Sequence, residues 1–382
     1  RKESSAASDV YKRQRLDDVF DTIGNSNAQI FSVLDLRSGF WQIPLDVKTK
    51  HKTAFVTHHG IFQFNRLPFG LRNAPTTFQM LMTQVLQGLN WKFVLVYVDD
   101  ILVFSKNFDQ HLDHLQQVFD RLRSANLKLK PSKCEFAAKK VNYLGHIISK
   151  SGIEVNPDKI EVVKSFPRPK NPKQVRSFLG LCNYYRRFVL GYSKIVYPLN
   201  QLLHKNKQFK WTPECTSAFN TLKEALTSSP ILALPDTSKE FILSTDASST
   251  AIGFVLSQKD DENREHVIAY GGRSLRGAEF KWDVSERECL ALVEGIKQYH
   301  PYLASSHFTV YTDHIALKWL QSIKESTGRL ARWSMKLQAY NFTIHHKPGV
   351  KNQNADALSR REYEQSTPCL LYTSDAADDS LR

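Results

Sequence analysis

Two groups of acidic residues draw attention by where they sit. In FVLVYVDDILVF, residues 93–104, Asp99 and Asp100 interrupt an apolar, β-branched run of the kind that fills a buried strand. A second such run, IFSVLDL at 30–36, carries Asp35 near its end. Burying even one unpaired charge is costly, and three carboxylates at one sheet edge would shift each other's pKa values. Divalent cations remove that conflict, because hard carboxylate oxygens suit Mg²⁺. Two such ions ~4 Å apart can hold an attacking and a leaving oxygen in line, the two-metal route to phosphoryl transfer. Towards the C-terminus stand four more acids: Asp246 in STDAS, Glu288 in ERECLALV, Asp313 in FTVYTDH and Asp356 in NQNADALSR. Two strand-end acids, one helical Glu and one late Asp can share two metals above a sheet. Taken singly, each is an ordinary surface carboxylate or cap, and an Asp-Asp pair alone is usually a solvated turn.

The elements that must position these groups follow from periodicity. Residues 51–70 read as a hairpin turning at His59-Gly60. Pro75 opens a helix with Phe78, Met82, Val85 and Leu89 on one face. Residues 93–104 read as two strands meeting at the carboxylates. Residues 107–126 form an amphipathic helix with Leu112, Leu115, Phe119 and Leu122 in register, and 140–149 is a further strand. The Pro/Lys-rich PRPKNPK at 167–173 is a break. Beyond it Val175, Phe178, Leu179, Cys182 and Tyr185 mark a helix, and Pro213 opens another. Pro230 and Pro235 bracket a second linker. Three strand-like runs then precede alternating helices and strands, which predicts a mixed sheet domain.

Composition sets the outer bounds. The chain has 382 residues, 41% hydrophobic, with 52 Lys+Arg against 38 Asp+Glu and a net charge of +14. Such an excess favours a polyanionic partner, most simply nucleic acid. No apolar run is long enough to span a bilayer, so no membrane partner is expected. Five scattered cysteines without a C-x-x-C pair argue against a zinc site or disulfide framework. The two ends look foreign. SSAASDVYKRQ (Ser4–Gln14) can be back-translated into DNA whose reverse complement, read one frame over, encodes the CLLYTSDAAD that begins at Cys369. Residues 1–14 and those from 369 are therefore read as adaptor-like and non-native, and set aside.

Within 15–361 the motifs LDLRSGFWQIPL, KTAFVTHHGIFQFNRLPFGLRNAPTTFQ, YVDDILVFS, YLGHIIS and RSFLGLCNYYRRF resemble reverse transcriptases of gypsy-type LTR retrotransposons, in that family's order and spacing. The resemblance implies a multidomain α+β and α/β fold. Its parts would be a right-hand polymerase palm with partial fingers (15–152), a helical thumb-like or connection region (153–235), a ribonuclease H-like mixed-sheet domain (236–362) and a tail from 363. It implies an RNA-directed DNA polymerase that also cuts the RNA of an RNA–DNA hybrid; the alternative is an inactive, fingers-truncated remnant that only binds nucleic acid. Asp35 and Asp99 would be the main metal ligands, Asp100 the supporting carboxylate, and Tyr97 and Val98 would lie near the primer end. Phe40 would be the aromatic gate against a ribose 2′-OH. Phe69 and Arg72 would lie beside the incoming nucleotide, Leu144 and Gly145 in the primer grip, and Tyr184, Arg186 and Arg187 in the thumb. Asp246, Glu288, Asp313 and Asp356 would form the ribonuclease H site, with Glu288 preferred to Glu286 on its spacing to Ala291. His346 would assist product release. Two Mg²⁺ per site are expected, with Mn²⁺ as the alternative. The partners would be RNA template, DNA primer, the hybrid and dNTPs, with a homodimer or other parts of a parent polyprotein in addition. The expected location is the cytoplasm, within virus-like particles, with the nucleus as the alternative. The family's upstream fingers segment and any protease and integrase parts are expected to lie outside this stretch.

Overall fold

The computed structural model describes residues 16–204, 208–314 and 328–346. The first unit starts with α1 (Leu16–Ser26) and β1 (Ile30–Asp35), followed by a small hairpin, β2 (Phe55–Thr57) and β3 (Gly60–Phe62). Then come α2 (Ala74–Val85), β4 (Val94–Tyr97), β5 (Asp100–Ser105), α3 (Phe108–Ser124) and β6 (Glu135–Ala138). Four strands form one sheet in the order β4-β5-β1-β6. Its strands alternate between two cores, as a two-residue side-chain period requires. Leu34, Val94, Val96, Ile101 and Val103 pack with Phe78 and Met82 of α2 and Leu115 and Val118 of α3. Phe31, Leu95, Leu102 and Phe104 face the other way, onto Val19, Phe20 and Ile23 of α1.

That second core runs on without a break into the middle of the chain. It takes in β7 (Lys140–Tyr143), β8 (His146–Ser149), β9 (Gly152–Val155) and the helices behind them. These helices are α4 (Pro157–Lys164), α5 (Pro172–Tyr184), the short α6 (Tyr192–Ile195) and α7 (Tyr197–Gln201), and α8 (Pro213–Thr227). Asn156, Asn171 and Thr212 cap α4, α5 and α8 by accepting a backbone N–H, each followed by a proline in the first turn.

The C-terminal unit is a five-stranded sheet ordered β12-β11-β10-β13-β14. Its strands are β10 (Phe241–Ala247), β11 (Ala251–Lys259), β12 (Glu265–Ser274), β13 (Phe308–Thr312) and β14 (Phe342–His346). The first three run antiparallel, and β13 and β14 lie parallel to β10. Helices α9 (Val284–Gln298), α10 (His300–Leu303) and α11 (Arg329–Leu337) are its helices among the described residues. Its core joins Leu243, Phe254 and Val310 of the sheet to Leu292 and Ile296 of α9 and Trp333 of α11.

Three local expectations need correction. Residues 140–149 are a hairpin, β7 and β8, because Leu144 and Gly145 both take positive φ and reverse the chain. On α3 the first buried position is His111, while Leu112 is 49% exposed; a buried histidine is invisible to an apolar period. The β2–β3 turn is His58-His59, since Thr57 pairs with Gly60.

Candidate active sites

The first site grows from the antiparallel pairing of β1 with β5, which sets Asp35 opposite Asp100. Asp99 lies in the two-residue turn between β4 and β5, exposed, after Val98 at φ 55°. A bulky β-branched residue rarely adopts that conformation, and the structure shows what holds it. The Val98 N–H donates to Oε1 of Gln79 at 2.6 Å, and the same amide's Nε2 donates to the Val96 carbonyl at 3.2 Å. Asp35 and Asp99 then line one cleft of about 590 Å³ together with Phe40, Phe69, Phe78, Lys130 and Lys133. Lys133 Nζ lies 3.3 Å from Asp35 Oδ2. Asp100 does not line the cleft, and its carboxyl is pushed up to about 6 by burial, then by Asp99 and Asp35. So two of the three acids share the open space, and the third lies beside them on the strand.

Phe40 is held edge-on between Phe69 and Phe78, with ring centroids 5.4 Å from each. Phe69 is 65% exposed at the cleft, whereas Arg72 is exposed and outside the cleft lining. Tyr97 pairs across from Asp100 at the end of β4. The Leu144–Gly145 turn is bolted by two phenols: Tyr184 Oη donates to the Leu144 carbonyl at 2.7 Å, and Tyr185 Oη to that of Gly145 at 2.9 Å. Arg186 is exposed beside them. Arg187 departs from the expectation of a backbone-tracking side chain. Its guanidinium is turned inward, paired with Asp17 at 3.0 Å and stacked 5.0 Å over the Phe20 ring.

The second site lies at the C-terminal ends of β10 and β13. One carboxylate oxygen each from Asp246, Glu288 and Asp313 lie within 4.8 Å of one another. Among the described residues this is the one such group; the three acids of the first site do not close up as tightly. Asp246 and Glu288 are buried, and Glu288 Oε1 accepts the Ala247 N–H at 3.0 Å. That bond ties helix to strand and aims the carboxylate at the strand ends. Glu286 is engaged elsewhere, in a 2.6 Å ion pair with Arg329. His346 Nε2 lies 2.9 Å from the Asp313 carbonyl oxygen. Asp356 lies outside the described residues. Three hard oxygen donors converging from two strands and a helix fit a hard divalent cation, and among the described residues no thiol or imidazole joins them to favour a softer metal.

Sequence reasoning missed Gln79, Lys133 and Arg329. Gln79, flanked at helical spacing by Thr76 and Thr83, carries no more signal than the other two, since only the fold brings each to its partner.

A palm-like sheet with carboxylates on its central hairpin, followed by a mixed five-stranded sheet with an acidic triad, defines the polymerase-plus-ribonuclease-H-like class of fold. Residues 11–148 match the family "Reverse transcriptase (RNA-dependent DNA polymerase)", and 236–340 match the "RNase H-like domain found in reverse transcriptase". The chain is 41% identical to the Retrovirus-related Pol polyprotein from transposon 297 of Drosophila melanogaster, over 94% of its own length and 33% of the relative's. It is 38% identical to the Transposon Tf2-3 polyprotein of Schizosaccharomyces pombe, over 87% and 25%. The chain therefore spans about a third or less of the curated relatives it matches. The foamy viral protease-reverse transcriptase in complex with RNA/DNA hybrid shares the fold, with a TM-score of 0.72 at 23% identity over 88% of this chain and 46% of that one. A form of that protein (dRH) in complex with ds DNA gives a TM-score of 0.77 at 23% identity, over 87% and 59%. The chain carries reverse transcriptase and RNase H-like domains, and its homologues are retrotransposon Pol polyproteins.

Proposed function

We propose that this chain is an RNA-directed DNA polymerase with ribonuclease H activity, working by two separate metal-dependent phosphoryl transfers. The observation that carries the reading is the meeting of Asp246, Glu288 and Asp313 within 4.8 Å at one end of the second sheet, in the same chain as Asp35 and Asp99 on one open cleft. Asp35 and Asp99 would hold cations at the first site, and the triad, joined by Asp356, at the second. Mg²⁺ is the proposed ion, with Mn²⁺ as the substitute. When bound, such ions activate the attacking oxygen and stabilise the departing one. The protein's own part is geometric. Gln79 holds the Val98 turn so that Asp99 faces the cleft. Phe40, boxed by two rings, lines the cleft where a ribose 2′-OH would meet it. His346, set against the Asp313 backbone, would loosen the cut product. Primer, RNA template, hybrid and dNTPs are the proposed partners, and virus-like particles in the cytoplasm the proposed location.

One assay pair tests this. With Mg²⁺, the chain is expected to cut the RNA of an RNA–DNA hybrid and to extend a DNA primer on an RNA template. Asp246→Asn should abolish cutting while leaving extension, and Asp99→Asn the reverse. Undiminished cutting by the first variant, or extension by the second, removes the corresponding assignment. A chain that binds the hybrid but neither cuts nor extends would establish the inactive remnant instead.

A further inference from the structure

Both carboxylate sites are reached from one place in the molecule. Helix α1 touches the C-terminal unit directly through a row of residues one turn apart. Tyr302 Oη donates to Asp21 Oδ1 at 2.8 Å. The Thr237 N–H and hydroxyl both donate to Asn25 Oδ1 at 2.9 Å. Between these, Gly24 lies so close to the linker that a Cβ there would run into the Pro235 carbonyl. Arg187 spans the same junction, pairing with Asp17 and donating to the Ile268 carbonyl at 3.5 Å. A backbone bond from the Ala233 N–H to the Val267 carbonyl at 2.8 Å pins the linker onto β12.

From this dock two strands lead away. β1 starts four residues after α1 ends and finishes at Asp35. β10 starts four residues after Thr237 and carries Asp246 as its sixth residue. Each run is six or seven residues, roughly 20 Å of rigid strand at ~3.3 Å per residue. Helix α9 covers the same interval in the opposite chain direction: Glu288 lies near its start, and Tyr302 follows just beyond its end. The dock is thus the common base of both sites, and the side chains of Asp21 and Asn25 join helix α1 to Tyr302 and Thr237 across it.

We propose that the α1 dock, built on Asp21, Gly24 and Asn25 against Tyr302, Pro235 and Thr237, is a positioning element that fixes the separation of the two sites and so the place of RNA cutting relative to the primer end. The inference rests on the function proposed above. A free tether would let the second site sample many positions along a bound hybrid; a hydrogen-bonded, close-packed base allows one. Set at the opposite ends of β1 and β10 from Asp35 and Asp246, these residues act through the placement of the two sheets.

The test uses end-labelled RNA annealed to DNA primers whose 3′ ends recess by one-nucleotide steps, incubated with the full chain and Mg²⁺. The expected result is one dominant cut that moves base for base with the primer end. In the double variant Tyr302→Phe with Asn25→Ala the cuts should spread over a window at least 3-fold wider. Cutting of a long hybrid without a recessed end should stay within 2-fold of the parent, which separates displacement from unfolding. Gly24→Ala, a wedge rather than a deletion, should shift or broaden the same distribution. Equally sharp cuts in all variants, or parental cuts that ignore the primer end, overturn the dock's role. A parent that cuts no hybrid overturns instead the reading of the second site.

Discussion

Gln79 shows how a single side chain can decide the use of a carboxylate it never touches. It satisfies the N–H of Val98 and the carbonyl of Val96 at once, and so holds a left-handed valine in the turn that presents Asp99. Replacing it by Leu leaves a partly buried N–H without its acceptor, a penalty of about 1–3 kcal/mol. Gln79→Leu should therefore lower primer extension by about 10-fold or more, the factor that 1.36 kcal/mol carries at the barrier, with hybrid cutting unchanged; equal loss of both activities would show a general folding defect instead. The residue scale also explains why Glu288 and not Glu286 belongs to the triad. Two positions apart, they lie on different sides of α9, and Arg329 takes up the first of them.

At the scale of elements, α3 and the palm sheet are stitched by a buried polar group where the apolar pattern expects none. His111 is fully buried, with Ser32 Oγ 2.7 Å from Nε2 and Ser105 Oγ 2.8 Å from Nδ1. Burial, and then the neighbouring His114, press its pKa down to about 4. His146, also fully buried, is pressed down to about 4 by burial, with Arg187 adding to the effect. A group whose folded pKa is depressed contributes stability that is present above its unfolded value near 6.5 and lost as pH falls towards the folded one. The unfolding free energy read from urea titrations should therefore drop between about pH 6.5 and pH 4, by on the order of 2–3 kcal/mol for each histidine. His111→Asn should flatten part of that slope; an unchanged slope would place the acid sensitivity elsewhere. The β7–β8 hairpin carries the same lesson. A continuous strand pattern was legible in residues 140–149, but the reversal depends on Leu144 accepting a positive φ, which the phenols of Tyr184 and Tyr185 secure from a distant helix.

At the scale of the whole molecule, the excess of 52 basic over 38 acidic side chains argues for binding that is largely electrostatic. Affinity for a hybrid or duplex should fall about 10-fold or more between 50 and 200 mM salt, as release of condensed counterions requires, measured by fluorescence anisotropy; a flat response would point to readout by shape and stacking alone. The two units are also less separate than a linear map of domains suggests. The core that begins under β1 continues through β7–β9 and α5–α8, and α1 closes onto the C-terminal sheet through Asp21 and Asn25.

By itself the sequence determined what local order can encode. Period-two and helical runs placed most strands and helices, acids at strand ends marked the two carboxylate clusters, and the ordered motifs pointed to the reverse transcriptase and RNase H-like domains. Those signals survive in one dimension because each depends on residues within a turn or a strand of one another. Tertiary structure alone decided that Asp35 faces Asp100 across a ladder, that Asp99 rather than Asp100 opens onto the cleft, that Arg187 is spent inside the molecule, and that one helix is the base of both sites. Each of these joins groups from separate stretches of chain, up to 281 residues apart for Asp21 and Tyr302, and such pairings are set by packing and hydrogen-bond closure rather than by any pattern along the chain.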